Sequence, residues 1–434
     1  MPDLAANDPK GDGTMNASIA GLLVGIAMAA ATAAEAASVV YPTGQFPADV
    51  LLVQSALDQG GTVLLKMTNL SGSPTAFNFG PPIAGPGFVI FHHDAELVGE
   101  HSGGAATTIT GGFYPVRGFA SIRTAVREIA FDAPLHGALF LRGPFTAETE
   151  ITGNRISHVV GRLFQGSRTH GEAMVVGGGR VVINDNIIEF VDADSGLGIT
   201  QLDSLGPVEI LRNRVSGTST NSIECTRNHG VVRIDSNIVR PGAADLFGGT
   251  GIEINGTGNY IVTRNDVLLE SPGGIGIFAL GAVGFGFGPV TGAVIQSNRV
   301  VMQPIGDIDG ALFNDGIDLG GLVSNSFVGQ NRIEGPGFTA FGLYDVSFDP
   351  SQLSDLGSNT YVGNNIAGVR AEFVDVFLDD ATHNTVLKGM SGSVLDLGSN
   401  NQLSGFSKGG NSKTGLQVAR AIHLRNQALG AARQ

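Results

Sequence analysis

The chain has 434 residues, 25 Lys and Arg against 39 Asp and Glu, a net charge of −14, 65 Gly, no Trp and a single Cys. The surplus of carboxylates argues against a nucleic-acid partner, which needs cationic side chains to displace counterions from phosphates, and one Cys rules out an intrachain disulfide. Abundant Gly and only 15% charged residues suit tight turns around a thin aliphatic core.

Residues Met1 to Thr14 are polar, and Ile19 to Ala34 form an uninterrupted run of apolar and small residues that ends in Ala34-Glu35-Ala36. This resembles a secretory signal peptide and is short for a membrane span, so residues 1–37 read as a leader. Export to a secreted, periplasmic or cell-surface location is the expectation, with no membrane contact once the leader is removed. Asp49 to Leu57 reads as a short amphipathic helix with Asp49 at its N-cap and Gly60-Gly61 as its stop. Thr62 to Lys66 and Thr75 to Phe79 open a series of short, alternating, Val- and Ile-rich strands.

From residue 151 onward the strands repeat around an Asn, at Asn154, Asn186, Asn213, Asn237, Asn265, Asn298, Asn331 and Asn364. An apolar residue stands three positions before each of them, and Ile or Val two positions after. The intervals run from 24 to 33 residues, so loops of varying length are inserted into a constant unit. Asn suits the turn because its side chain bonds nearby backbone and it tolerates left-handed geometry. One such Asn in every coil would stack into an amide ladder along one edge. The pattern weakens after Ile366, and 411–434 reads as a helix that either packs over the last coil or forms a partner-binding tail.

The Asn-centred unit, coupled to Gly-Ile-x-Ile strands such as Gly251-Ile-Glu-Ile254, resembles the right-handed parallel β-helix repeat of the pectate-lyase-like superfamily. The resemblance implies an all-β fold: a single solenoid over residues 38–410, with a short N-terminal helical cap and a C-terminal helical tail. It also implies that the helix covers the unpaired strand edges of the first coil. It does not assign an activity, since that superfamily includes lyases, hydrolases, epimerases, tailspikes and non-catalytic surface proteins.

Chemistry must lie outside the coils. The outward x of the Gly-Ile-x-Ile strands is Glu224, Glu253 and Asp318, with Phe278 or Gly276 between them. A strand spacing of about 4.8 Å would set Glu224 beside Glu253, close enough to share a proton or a cation. The plainer reading is a solvated acidic stripe. Asp307, Asp309 and Asp315 form a second acidic group and a calcium candidate, although their spacing is not that of an EF-hand loop.

Asp315-Gly-Ile-Asp318 is similar to part of the polygalacturonase motif, without its leading Asn and Thr, its Asp-Asp pair or its Gly-His-Gly. Phe348-Asp349-Pro350 is similar to part of the mannuronan C5-epimerase signature, with Ser351 and Gln352 in place of its His and Asp. Arg212, Arg233 and Arg264 are candidates to face a uronate, and pairing with nearby acids is the alternative. His92, His93, Asp94 and His101 are the densest histidine group, without a defined zinc geometry. Cys225, within a strand, reads as a buried structural thiol.

The sequence therefore leaves two functions. One is an exported β-helix that binds glycans or serves as a surface module without a complete catalytic motif. The other is a polysaccharide lyase, hydrolase or epimerase. In both, a sugar would lie along Glu224, Glu253 and Asp318, walled by the connections 279–292 and 345–359, with Phe285, Phe287 and Tyr344 as ring faces. The acidic flank favours a neutral glycan or a uronate bridged by calcium.

Overall fold

The computed structural model describes residues 37–81, 87–119, 122–142, 147–164, 168–242, 249–270, 274–281, 286–302, 314–335, 340–346, 357–369, 375–379 and 382–408. The apolar leader and the helix expected over 411–434 lie outside them. Within 37–408 the chain winds through three long sheets, which we designate A, B and C. Sheet A has 14 strands, from Ser38–Val40 to Gln402–Leu403; sheet B has 12, from Phe77–Asn78 to Asn365–Val369; sheet C has 14, from Val89–Phe91 to Phe406–Lys408.

One coil takes a strand from each sheet in turn, for example Val208–Leu211, Arg214–Ser216 and Asn221–Thr226, before sheet A resumes at Val231–Asp235. Each strand pairs in parallel with its counterpart one coil away. Two antiparallel side pairs depart from this, His101–Ser102 with Ala105–Thr110 and Arg162–Phe164 with Arg168–Gly177. The chain is a parallel β-helix.

The alternation of the strands explains the core. In sheet A the inward column runs Val126, Ile151, Ile183, Ile210, Ile234, Val262, Ile295 and Val328, each in register with the next. Columns of the same kind come from sheet B through Ile188, Val215 and Val239, and from sheet C through Ile199, Ile223 and Ile252. All are fully buried and form one continuous cluster. Cys225 belongs to it, as expected of a structural thiol.

The eight repeat Asn residues stack at the corner between sheets A and B. Asn186 shows the pattern: its Nδ2 donates to Ile151 O at 2.9 Å and to Asn213 Oδ1 at 2.9 Å, and its backbone N donates to the same Oδ1 at 3.0 Å. The ladder continues without a break from Asn154 to Asn364. The turn geometry differs from expectation in one respect. The left-handed residue is not the Asn but the one before it, including Asp185, Arg212, Ser236, Arg264 and Gln330 at φ values of 54° to 58°, with Gly153 and Gly363 at 68° and 61°. The Asn is held instead by its side-chain and backbone bonds.

The N-terminal helix spans Ala48–Leu57 and inserts Val50, Val53, Ala56 and Leu57 into the core. Asp49 is not its N-cap. It lies in the first turn, fully buried, and its carboxylate accepts from Thr43 N and Oγ1, Gly44 N and Asn78 N. Gln54 closes the edge of sheet C in the manner of a strand, donating from Nε2 to Ile90 O at 2.9 Å and accepting Ile90 N at 2.7 Å.

Candidate functional site

Sheet C faces inward mainly with aliphatic side chains; Asp345 also turns inward, fully buried, where Asn359 Nδ2 and Tyr361 Oη donate to it, and the other ionisable groups of interest lie on the outer row. The outward row Arg117, Phe140, Val175, Thr200, Glu224, Glu253, Phe278, Asp318 and Tyr344 is in register from coil to coil. Glu224 and Glu253 are direct neighbours, as the repeat predicts. Glu224 is partly exposed, whereas Glu253 is only 3% exposed.

The hydrogen-bond partners of Glu224 are neutral: Asn221 Nδ2 donates at 3.1 Å, Thr226 Oγ1 at 3.0 Å and Asn255 Nδ2 at 3.4 Å. Burial, and then the charge of Glu253, push the Glu224 carboxyl up to about 7, against the Asn221 and Thr226 bonds that favour ionisation. At neutral pH the carboxyl can therefore both donate and accept a hydrogen bond.

Many charges on the other faces are paired. Arg127 spans Glu96 and Glu150, Arg180 meets Glu148, and Arg299 meets Asp266. The arginines considered for a uronate site are matched too. Arg212 binds Asp185 with two bonds of 2.8 and 2.7 Å, and Arg233 and Arg264 both reach Asp235. These pairs sit at the corner between sheets A and B, so the arginines do not join Glu224.

The open flank expected from Glu224 to Asp318 is closed at its far end. Asp318 is 1% exposed, and Phe278 stands between it and Glu253. Ile275, Phe278 and Leu280 form an apolar cluster on the outer face, and the partly buried Phe287 packs onto it. The connection is laid close against the coil there, with Thr257 N donating to Phe287 O at 3.2 Å. Alternation reveals which side chains point outward, but not which are then covered by an inserted loop. Tyr344 is in register with Asp318, and its ring lies outside the described residues, as do Phe285, Asp307 and Asp309. Asp315, the remaining member of the calcium candidate, is fully buried.

A second cluster on the same face escaped the sequence reading. Tyr114 Oη donates to Glu172 Oε2 at 2.9 Å, His170 Nε2 lies 3.7 Å from Glu172 Oε1, and His136 Nδ1 lies 2.8 Å from His170 O. Burial lowers the His136 imidazole's affinity for a proton. Burial would raise Glu172, but the bond and charge of His170 and the bond from Tyr114 outweigh it, so this carboxyl falls below its ordinary value. These residues come from successive coils, 22 (136 − 114) and 36 (172 − 136) positions apart, and that coil-length spacing was the available signal. The dense histidine group expected near the N-terminus does not converge in this way. His92 is exposed and pairs with Asp58 at 2.9 Å.

Aromatic rings surround the second cluster. Phe113 stacks on His136 at 5.5 Å, Tyr114 meets Phe140 edge-on at 5.3 Å, and Phe119, half exposed, lies 5.5 Å from Phe140. The Arg117 guanidinium covers Phe88 at 3.7 Å. By contrast a wide recess of about 720 Å³ beside Val39, Leu52 and Leu70 gathers no ionisable groups around a common point.

No family model and no curated protein matches this sequence. Among solved structures the chain is similar to the Dettilon tailspike protein, at 14% identity and a TM-score of 0.45, over 85% of this chain and 68% of that one. It is also similar to the A-module of a mannuronan C-5 epimerase from Azotobacter vinelandii, at 13% identity and a TM-score of 0.20, over 82% of this chain and 93% of that one.

Proposed function

We propose that the protein is an exported β-helix module that binds a carbohydrate chain on the outer face of sheet C, around Glu224 and Glu253. The observation that carries this reading is the Glu224–Glu253 pair. Burial and the adjacent Glu253 carboxylate favour the protonated form of Glu224, and a carboxyl that takes up a proton near neutrality offers a sugar hydroxyl a donor as well as an acceptor. Upstream on the same face, the half-exposed Phe119 and the partly exposed Phe140 present apolar ring surface of the kind that packs against sugar rings. The chain's net charge of −14 favours a neutral polysaccharide, or a uronate chain bridged by calcium, over a bare polyanion.

The same pair favours a second reading, an acid/base enzyme acting on polysaccharide, because a carboxyl near pKa 7 beside another carboxylate is suited to proton transfer. A glycan screen with and without calcium, on wild type and on the Glu224→Gln, Glu253→Gln double variant, tests the module. Binding by wild type and at least tenfold weaker binding by the variant are expected. Failure of wild type to bind any glycan, or equal binding by the variant, defeats it. Cleavage or epimerisation of the selected glycan by wild type, abolished in Glu224→Gln while binding persists, would establish the enzyme instead.

A further inference from the structure

We propose that His136, His170 and Glu172 form a mononuclear site for a divalent transition metal of the zinc type, at the corner where sheet B passes into sheet C. Each residue offers one ligand atom, and these atoms all lie within 4.8 Å of one another. A tetrahedral ion with bonds of about 2.0–2.2 Å sets its ligand atoms roughly 3.3–3.6 Å apart, so the three side chains would close in by about 1 Å to hold one.

The atoms not offered to the ion are already held. His136 Nδ1 must donate to His170 O, since a carbonyl only accepts, and this leaves Nε2 with a lone pair. His170 Nδ1 lies 3.1 Å from Ser195 Oγ, which turns its Nε2 toward Glu172 Oε1. Glu172 Oε2 takes the Tyr114 hydroxyl, so Oε1 is the ligand oxygen. Partners of this kind orient metal-binding imidazoles and carboxylates.

The backbone is fixed as firmly. His136 adopts a left-handed φ of 67°, and at the next residue, Gly137, a Cβ would lie 1.9 Å from Glu172 O and 2.4 Å from the Tyr114 ring. Two imidazoles and one carboxylate suit zinc, cobalt or nickel, while calcium demands six to eight oxygens. Three protein ligands leave a fourth position for water or a ligand atom. Tyr114 is a positioning residue, because it acts through Glu172.

The test is titration of the chelator-treated full-length protein with cobalt chloride, followed by displacement with zinc chloride. One equivalent of cobalt should bind and give the visible absorption of four- or five-coordinate Co(II), and one equivalent of zinc should abolish it. Glu172→Gln, which retains an acceptor for Tyr114, and His170→Gln should each weaken cobalt binding at least tenfold. Tyr114→Phe should weaken it about tenfold while shifting the absorption bands, a response that a purely structural tyrosine would not give. His92→Gln should leave the titration unchanged. Absence of a one-equivalent spectrum in wild type overturns the proposal, as does an undiminished spectrum in both ligand variants. Since the readout is metal binding alone, it stands or falls separately from glycan binding.

Discussion

Glu224 illustrates how a site residue can oppose the stability of the fold that holds it. Its folded pKa of about 7 lies above the ordinary value of 4.5, so the folded state binds the proton more tightly than the unfolded state. Stability is then lost as pH rises from about 4.5 through 7. Glu224→Gln removes the titration and keeps one acceptor oxygen, to which Thr226 and Asn255 can still donate, at the loss of the bond from Asn221. We expect its melting temperature to match wild type near pH 4.5 and to exceed it by a few degrees at pH 8; an equal or lower value at pH 8 would show that burial does not penalise this carboxylate. The pairing of Glu224 with Glu253 was legible because a period-two strand and a fixed coil repeat determine register. The burial of Asp318 was not, because it depends on how the outer face is covered. The meeting of His136 with Glu172 left only their coil-length spacing as a signal, since neither residue belongs to the Asn-centred unit.

At the scale of the element, the ladder and the aliphatic columns place different demands on each coil. Asn213 accepts from Asn186 N and Nδ2 and donates to Ile183 O and Asn237 Oδ1. Asn213→Ala strands two donors and a carbonyl in a dry corner, which should cost about 3–6 kcal/mol. Ile210 is fully buried between Ile183 and Ile234, and Ile210→Asp should cost several kcal/mol or force the new carboxyl to stay protonated. Thermal unfolding followed by circular dichroism measures both, and an unchanged midpoint for either variant contradicts the register. The Asn spacing alone disclosed this architecture, since only stacked coils turn a recurring buried amide into mutual hydrogen bonds. It misplaced the left-handed residue because the backbone geometry of a turn is shared among its neighbours. At Arg212 and Arg264 the following Asn fixes the corner, whatever the preceding side chain prefers.

For the whole solenoid, the ends and the faces decide behaviour. A stack of parallel strands exposes an unpaired edge at each end, and the edge of sheet C is answered at the N-terminal end by a single amide, Gln54. Gln54→Ala should lower the melting temperature and produce concentration-dependent association visible by light scattering; a variant that stays monodisperse at high concentration would show that the helix alone protects the edge. Ion pairs occur on all three outer faces, including Arg142 with Asp203 beside sheet C, whereas the hydrogen-bond partners of Glu224 are neutral. The measurement that bears most directly on this distinction is the affinity for the glycan selected by the screen, followed from pH 5 to pH 9 in wild type and in Glu224→Gln. If the protonated Glu224 carboxyl donates to a sugar hydroxyl, wild-type affinity falls as pH rises through about 7 and the variant's affinity is flat. An affinity in wild type that does not change across this range, or a variant with the same pH profile, would contradict the assignment of sheet C as the binding face.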